Sequence, residues 1–359
     1  MIAAYVTGHG YGHLTRLCEV LAEVRRRAPA LPITVVGAVP AALVRAAVAP
    51  PLALRPVACD VGLVQRDALT VDEAASVAAC LAFDAGWEER LRAEVAFLRD
   101  SGARLVVGDV PPLAFAAARV AGLPAAALSN FGWDWIYRHL SARWPALAGP
   151  AARAAAAYQE VTVLLELPFA GGLESFPRRE PVGLVARRPR LARGEARRRL
   201  GLGDRPVALL SFGGVGLPGL ARDRLDLGPD LEALLPDDLP PARLEALGLG
   251  YLDVVGAADV VVTKPGYGIV SDAIAAGAAL VYTERGDFPE YPVLVREMPA
   301  WLACVHASNE AVRAGRLDAA VRRALALPRP PPPDLAGAAR AAGRILDLLK
   351  SGPAPVPGR

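Results

Sequence analysis

Residues 2–13 read Ile-Ala-Ala-Tyr-Val-Thr-Gly-His-Gly-Tyr-Gly-His, and this stretch decides the fold class. Its first six residues form a run without polar alternation, which is typical of a buried strand in a parallel sheet. Three glycines follow, and a helical pattern runs from about Thr15 to Arg27. A strand, a glycine-rich turn and a helix in this order predict the first unit of an α/β domain.

The same alternation continues along the chain. Further strands are predicted at 33–37, 105–108, 125–129, 207–212, 260–263 and 279–283, and further helices at 88–100, 113–121, 269–276 and 335–350. A segment rich in Pro and Arg, residues 175–200, separates two such series. We therefore expect two Rossmann-like doubly wound domains, 1–182 and 183–334, which face each other across a cleft. The helix 335–350 would pack back on the first domain, and 351–359 would be a flexible tail.

Composition excludes several classes of protein. The 359 residues are 53% hydrophobic with a net charge of +3, which argues against a disordered chain and against a nucleic-acid partner. No apolar run is long enough for a membrane helix, and contact with a membrane surface has no support. Four cysteines without CxxC spacing and a start without a basic leader favour the reducing cytoplasm. Because 38 of the 40 basic residues are Arg, single arginines carry little weight, whereas the rare Lys, Asn and Gln carry more.

The first glycine-rich turn carries two of the four histidines, His9 and His13. Histidine is suited to proton transfer near neutral pH, so a general base is expected here, although two histidines that cap a turn are an alternative. His13 also stands where a dinucleotide fingerprint requires glycine. Asp109 follows the strand 105–108 and would orient a histidine from the same sheet edge, or else cap the next helix.

Two other segments suit a sugar-like ligand. Residues 130–137 (Asn-Phe-Gly-Trp-Asp-Trp-Ile-Tyr) place aromatic rings beside polar groups, and a packed loop is the alternative. Residues 62–72 contain one of only two glutamines, Gln65, together with Asp67; these polar side chains face a cleft or simply a turn.

In the second half, residues 211–216 (Ser-Phe-Gly-Gly-Val-Gly) are suited to holding a diphosphate by backbone amides, without the GK[ST] of an ATP-hydrolysing loop. Lys264 lies just before a helix N-terminus, a favourable anion site. Asp272 would accept hydrogen bonds from ribose hydroxyls or only favour the helix dipole, and Asp287 and Glu290 are placed for sugar hydroxyls. The sequence has no D-x-D pair near a strand end, so a metal-bridged diphosphate is not expected.

Taken together, these motifs resemble the GT-B glycosyltransferases. The loop ending in His13 looks like the acceptor-side loop of the enzyme that adds N-acetylglucosamine in peptidoglycan assembly, and Lys264 to Gly277 is similar to the donor-binding signature of the superfamily. A closer resemblance is to the glycosyltransferase-like N-terminal module of L-arabinokinases. It covers roughly residues 1–350 through the segments 6–16, 65–72, 130–137, 211–214 and 264–268, and no counterpart of the kinase half is expected.

The resemblance implies inverting transfer of a sugar from a UDP- or dTDP-sugar to a hydroxyl acceptor, with no metal and no cofactor. His13 would be the base, His9 its competitor and Asp109 its partner. The donor side would be formed by Gly213, Gly214, Val215, Gly216, Lys264, Pro265, Gly266, Tyr267, Gly268, Ser271 and Asp272, with Asp287 and Glu290 at the sugar. The acceptor side would be formed by Gly10, Tyr11, Gly12, Gln65, Asp67, Asn130, Trp133, Asp134 and Tyr137. The superfamily usually has Glu where this chain has Asp272. A nucleotide-sugar epimerase or hydrolase on the same fold, or a non-catalytic nucleotide-sugar-binding module, is the alternative function.

Overall fold

The computed structural model describes residues 1–213, 217, 220 and 222–351. The strands in these ranges are β1 Ile2–Val6, β2 Ile33–Val36, β3 Leu52–Arg55, β4 Leu105–Asp109, β5 Ala125–Ser129, β6 Val163–Glu166, β7 Arg179–Pro181, β8 Val207–Leu210, β9 Glu232–Leu234, β10 Val260–Thr263, β11 Ala279–Tyr282 and β12 Cys304–His306. The α-helices are α1 Tyr11–Arg27, α2 Ala41–Ala47, α3 Glu73–Ala85, α4 Trp87–Asp100, α5 Pro112–Ala121, α6 Trp133–Ser141, α7 Ala148–Gln159, α8 Arg193–Leu200, α9 Pro241–Ala246, α10 Tyr251–Ala257, α11 Tyr267–Ala276, α12 Glu290–Glu297, α13 Asn309–Arg313, α14 Asp318–Ala326 and α15 Gly337–Ser351. None of the helices in these ranges is long and apolar enough to cross a membrane.

The first compact unit comprises residues 1–64, 72–185 and the chain from 335 onward. Its seven strands pair in the order β3-β2-β1-β4-β5-β6-β7, and every pair is parallel. All five residues of β1 are fully buried at the centre of this sheet, which explains its uninterrupted apolar sequence. Helix α15 packs against α1 within the same unit.

The second compact unit comprises residues 65–71 and 186–334. Its five strands are also all parallel and pair in the order β12-β11-β10-β8-β9. The chain enters this unit after Val185 and leaves it before Leu335. The segment 65–71 differs from the expectation, because it belongs to the second unit although its neighbours in sequence belong to the first.

Each sheet has one point where the strand order reverses. In the first sheet β2 lies on one side of β1 and β4 on the other, and in the second sheet β9 lies on one side of β8 and β10 on the other. Open parallel sheets bind ligands outside the carboxyl ends of the strands that flank such a point. A ligand is therefore expected beside the side chains that follow β1, β4, β8 and β10.

Helix α1 begins four residues earlier than the sequence pattern predicts. Gly10, the residue before the helix, has a φ of 70°, a left-handed conformation that glycine adopts without steric cost. This turn lets the helix start at Tyr11, directly after the strand. His13 is consequently a residue of the first helical turn and not of a loop.

Candidate functional site

A histidine and an aspartate meet at the reversal point of the first sheet. Val6 at the end of β1 pairs with Asp109 at the end of β4, so the helix that follows β1 starts beside the Asp109 carboxylate. His13 Nδ1 lies 2.8 Å from Asp109 Oδ1. Asp109 is fully buried, and His13 is 8% exposed. The sequence-predicted pair of base and partner is thus brought into hydrogen-bond distance.

Arg16, one turn further along α1, completes this cluster. Its Nε lies 2.6 Å from Asp109 Oδ2 and its Nη2 2.7 Å from Asp109 Oδ1, while Nη1 donates to Asn130 Oδ1 at 2.7 Å. Burial on its own would raise the pKa of Asp109, but the charges of Arg16 and the contact with His13 hold that pKa below its ordinary value. Asp109 is therefore ionised, and its charge is compensated by a buried arginine that sequence reasoning had discounted as one of many.

The position of the Asp109 carboxylate decides which nitrogen of His13 carries the proton. A lone pair on Nδ1 would repel a carboxylate oxygen 2.8 Å away, so Nδ1 is protonated and donates to Asp109. Arg16 Nη2 also lies 3.0 Å from Nδ1, but it donates to Asp109 Oδ1 at the shorter distance of 2.7 Å and does not need Nδ1 as an acceptor. The lone pair is then on Nε2, for which the described residues provide no hydrogen-bond partner. This arrangement suits a general base.

Aromatic rings surround both histidines. The ring of Trp133 lies 5.7 Å from the ring of His9 and 6.5 Å from that of His13, and the Phe131 ring is 5.5 Å from His13. His9 also packs against Gly62, where an added Cβ would collide with the imidazole ring. Close packing restricts the orientations that these rings adopt.

Asp60 holds the Trp133 ring through a hydrogen bond, and it was not among the residues expected from the sequence. Its Oδ2 accepts a hydrogen bond from Trp133 Nε1 at 2.9 Å, whereas its buried Oδ1 has no partner among the described residues. Burial raises the pKa of Asp60 to about 7, against the hydrogen bonds that favour the carboxylate. Asp60 also lines a cavity of about 30 Å³, which is room for about one water molecule. An acidic residue between Cys59 and Val61 in an otherwise apolar stretch was the available signal.

The expected acceptor wall is largely internal. Asn130 and Trp133 are fully buried, and Asp134 and Tyr137 are 1% and 7% exposed. Asp134 accepts from Ser175 at 2.7 Å, and the hydroxyl of Tyr137 donates to the carbonyl of Val61 at 2.8 Å. This corrects the expectation of an open aromatic platform, because these side chains are buried and bond to neighbouring groups of the first unit, and the Trp133 ring packs beside both histidines. Of the residues expected on the acceptor side, Tyr11 is the exposed aromatic (51%), and it lies between Gly10 and Gly12 at the start of α1.

Lys264 follows β10 at the reversal point of the second sheet, directly before α11. Burial lowers the pKa of Lys264 to about 8, and the positive charge of Arg285 acts in the same direction. Arg285 is paired with the buried carboxylate of Glu290 and lies over the Phe288 ring at 4.1 Å. Lys264 follows β10 and Arg285 follows β11, so two cations lie after neighbouring strands, and the binding of an anion there stays a prediction. Arg285 is a second arginine that the composition had masked.

Other residues expected on the donor side follow β8 or lie in α11. Gly213, after β8, has a left-handed φ of 75°, and Gly214, Val215 and Gly216 lie outside the described residues. The Ser271 hydroxyl donates to the carbonyl of Gly268 at 2.8 Å, inside α11.

Two acidic residues expected on the donor side have defined neighbours. Asp272 is 3% exposed and is bound by Arg187 through both carboxylate oxygens, with 3.2 Å between Nε and Oδ1. Its ribose contact stays a prediction. Of the two residues expected at the sugar, Asp287 is exposed, whereas Glu290 is buried by its pairing with Arg285.

Several arginines of the segment 187–199 form ion pairs with aspartates of the second unit. Besides Arg187, Arg190 lies 3.1 Å from Asp253, and Arg193 lies 2.8 Å from Asp259. These pairs tie the linker to the second unit. Among the described residues, no three or more His, Cys, Asp or Glu side chains gather in a way that would hold a metal ion.

Gln65 and Asp67 lie beside Lys264 and not beside His13. Gln65 Oε1 is 3.4 Å from Lys264 Nζ, and Asp67 is 2.9 Å from Arg313 at the end of α13. The sequence had grouped both residues with the acceptor side. Their place in the second unit corrects that grouping, since a short segment of the N-terminal half crosses into the second unit.

Known proteins provide an independent comparison. L-arabinokinase of Arabidopsis thaliana is 32% identical over 331 residues, which are 85% of this chain and 30% of the relative. The chain thus spans about 30% of the length of this curated relative. No protein-family model matches the sequence.

Solved structures agree on the architecture. The glycotransferase of kitacinnamycin has a TM-score of 0.58 at 19% identity, covering 98% of this chain and 95% of its own. UDP-glucose:anthocyanidin 3-O-glucosyltransferase in complex with UDP has a TM-score of 0.58 at 10% identity, covering 98% and 99%. MurG of Acinetobacter baumannii has a TM-score of 0.53 at 12% identity, covering 98% and 99%. With two parallel α/β sheets and alignments of this length, the chain has the GT-B fold of these glycosyltransferases, and a part of L-arabinokinase is its relative in sequence.

Proposed function

We propose that the protein is a glycosyltransferase that moves a sugar from a UDP- or dTDP-sugar to a hydroxyl acceptor, with inversion at the anomeric carbon and without a metal ion. The observation that carries the proposal is the buried pair of His13 and Asp109, 2.8 Å apart at the reversal point of the first sheet, with Nε2 left to accept a proton. The fold supports it, because the solved neighbours are transferases, one of them from Phytolacca americana complexed with UDP-2-fluoro-glucose and pterostilbene.

In the proposed reaction, His13 Nε2 takes the proton of the acceptor hydroxyl as the oxygen attacks the anomeric carbon. The bond between that carbon and the diphosphate oxygen breaks, and the nucleoside diphosphate leaves with the bonding electrons. One displacement of this kind inverts the anomeric centre. Asp109 keeps the histidine in the productive tautomer and stabilises the imidazolium that forms.

The neighbouring charges determine how much each residue contributes to the proposed reaction. Because Arg16 already neutralises Asp109, the carboxylate acts mainly by orienting His13 and less by attracting the new positive charge. On the donor side, Lys264 would stabilise the charge that develops on the leaving diphosphate. We also keep a cytoplasmic location as part of the proposal, since all four cysteines are free thiols.

The test is His13→Ala with His139→Ala as the matched control, because His139 lies on α6 of the same unit. Turnover is measured as release of nucleoside diphosphate across a panel of UDP- and dTDP-sugars with hydroxyl acceptors. We expect His13→Ala to lose a factor of about 10²–10⁴ in turnover while nucleotide affinity, measured by calorimetry, stays within about twofold. Turnover at the wild-type rate in His13→Ala would remove this histidine from the mechanism.

Two further measurements distinguish transfer from the other activities that this fold supports. A UDP-sugar incubated with the protein alone and followed by NMR would reveal a new sugar if the protein were an epimerase or a hydrolase. Binding of a nucleotide sugar without turnover across the whole panel would instead mark a non-catalytic module. Either result would contradict the proposed transfer.

A further inference from the structure

The segment Gln65–Val71 forms a small hairpin within the second unit. Gln65 and Val71 pair as an antiparallel bridge, and the amide of Arg66 donates to the carbonyl of Thr70 at 2.9 Å. Inside the turn, the amide of Leu69 donates to Asp67 Oδ1 at 2.8 Å. These bonds give the segment a defined shape, so its side chains have fixed positions.

The tip of the hairpin is anchored in the hydrophobic core of the second unit. Ala68 and Leu69 are 1% and 5% exposed and belong to the cluster that contains Phe212 and Val312. On its outer side, Asp67 forms an ion pair with Arg313. Two buried apolar residues between the polar residues Asp67 and Thr70 are unusual for a surface loop, and they anchor this tip in the core.

Docking of the hairpin brings Gln65 to Lys264. Gln65 Oε1 lies 3.4 Å from Lys264 Nζ, across 199 positions of sequence. A lysine ammonium has three hydrogens on a flexible stem, so an acceptor that takes one of them fixes where the other two point. Arg285 repels the ammonium and Asp67 attracts it, so the hairpin supplies two groups that hold it in place.

We propose that the Gln65–Val71 hairpin is a donor-side element, in which Gln65 is a positioning residue that holds the Lys264 ammonium where a diphosphate binds. The inference rests on the proposed function, because it takes Lys264 to bind the diphosphate of a nucleotide sugar. The proposal places Gln65 on the donor side, whereas the sequence suggested the acceptor side. The hairpin then makes diphosphate binding depend on a segment distant in sequence from the Lys264 loop.

The first experiment compares Gln65→Ala with Gln159→Ala, which replaces the other glutamine of the chain at an exposed position on α7. UDP and dTDP affinities are measured by calorimetry at pH 7. We expect Gln65→Ala to weaken binding about three- to tenfold, the effect of losing one hydrogen bond that orients a charged group. Gln159→Ala should bind like the wild type.

A second pair of variants tests the ion pair between Asp67 and Arg313 and leaves Gln65 unchanged. Arg313→Ala removes the ion pair with Asp67, and Arg322→Ala removes a comparably exposed pair with Asp318 in the same unit. If the docked hairpin positions Lys264, Arg313→Ala weakens UDP binding by about twofold and Arg322→Ala does not. Equal affinities in the two variants would count against the anchor.

The titration of Lys264 provides a readout that a merely structural role would not move. The chain has two lysines, so reductive ¹³C-methylation yields two lysine signals, which Lys350→Arg assigns. In the protein without nucleotide, Gln65→Ala should lower the pKa of Lys264 and Gln65→Glu should raise it, since the first removes an acceptor and the second adds a negative charge. Both variants should nevertheless weaken UDP binding, because a carboxylate repels the diphosphate.

The outcomes separate this inference from the function on which it rests. If the wild type binds UDP or dTDP and Gln65→Ala binds equally well, the hairpin role is wrong and the proposed function stands. If the Lys264 signal titrates identically in all Gln65 variants, Gln65 does not hold the ammonium. If the wild type binds neither nucleotide, the donor site and the hairpin role both fall.

Discussion

The lowered pKa of Lys264, at the reversal point of the second sheet, predicts that the proposed nucleotide binding depends on pH. Lys264 is the lysine proposed to bind the diphosphate, and its burial beside Arg285 lowers its pKa to about 8. An amine with this pKa loses its charge within the range where the protein is readily studied. Raising the pH from 7 to 9 should therefore weaken UDP binding without any substitution.

The size of the effect follows from the protonated fraction. With a pKa of about 8, about nine-tenths of Lys264 is charged at pH 7 and about one-tenth at pH 9. If only the charged form binds the diphosphate, affinity falls about tenfold, or about 1.4 kcal/mol. This is less than the roughly 1.5–3 kcal/mol that a charge-assisted hydrogen bond supplies, so the interaction is strong enough to show the whole effect. The terminal phosphate of UDP, with a second pKa near 6, is about nine-tenths ionised at pH 7 and about fully ionised at pH 9, so it adds little to the change in affinity.

Calorimetry at pH 7, 8 and 9 measures this directly for the wild type, Lys264→Arg and Lys350→Arg. Arginine stays charged across the range, so Lys264→Arg should show a nearly constant affinity. Lys350 lies at the exposed end of α15, and its replacement should leave the tenfold decline unchanged. The pair of variants thus changes the same residue type once inside and once outside the proposed site.

Two results would refute this reasoning. A wild-type affinity that is constant from pH 7 to 9 would show that Lys264 either keeps its charge or does not bind the diphosphate. A decline that persists in Lys264→Arg would assign the titration to another group. Either result would rule out the titration of Lys264 as the cause of a pH-dependent affinity.

Three further outcomes can be measured by chemical denaturation. Asp109→Asn leaves Arg16 as an uncompensated buried charge and should lower the free energy of unfolding by about 3–5 kcal/mol; a loss below about 1 kcal/mol would contradict the buried ion pair. Leu69→Ala removes the buried tip of the hairpin and should cost about 2–4 kcal/mol, and no loss would mean that the hairpin is not docked. Asp60→Asn keeps an acceptor for Trp133 and should stabilise the protein at pH 8 but not at pH 4; equal effects at the two pH values would contradict a neutral buried Asp60.

The sequence predicts the fold well because parallel sheets leave a simple pattern. Strands buried on both faces are uninterrupted apolar runs, and β1, β4, β5, β8 and β10 were all expected within a residue or two of their observed bounds. The short edge strands β3, β7, β9 and β12 were not expected, since partly exposed strands of three or four residues have no such run.

The sequence indicated which side chains would lie together only where they follow neighbouring strands. His13 and Asp109 follow neighbouring strands, so the sheet order alone brings them together. Arg16 and Arg285 could not be distinguished from 36 other arginines, because their role depends on burial beside a carboxylate or a lysine. Gln65 was singled out as a rare residue and expected on the acceptor side, but the structure places it in the second unit, because spacing along the chain does not show where a hairpin docks.

Two buried groups that titrate near neutrality lie one in each unit, and their effects on pH dependence can be separated. The pKa of Asp60 is raised in the folded protein, so its protonated form costs nothing below pH 4 and stability falls as the pH rises towards 7. The rise from 3.8 to about 7 corresponds to a loss of up to about 4 kcal/mol, which Asp60→Asn should abolish. Lys264 acts instead on nucleotide affinity, between pH 7 and 9. Combining Asp60→Asn with Lys264→Arg should therefore flatten both profiles independently, and a single variant that flattened both would show that the two groups are coupled.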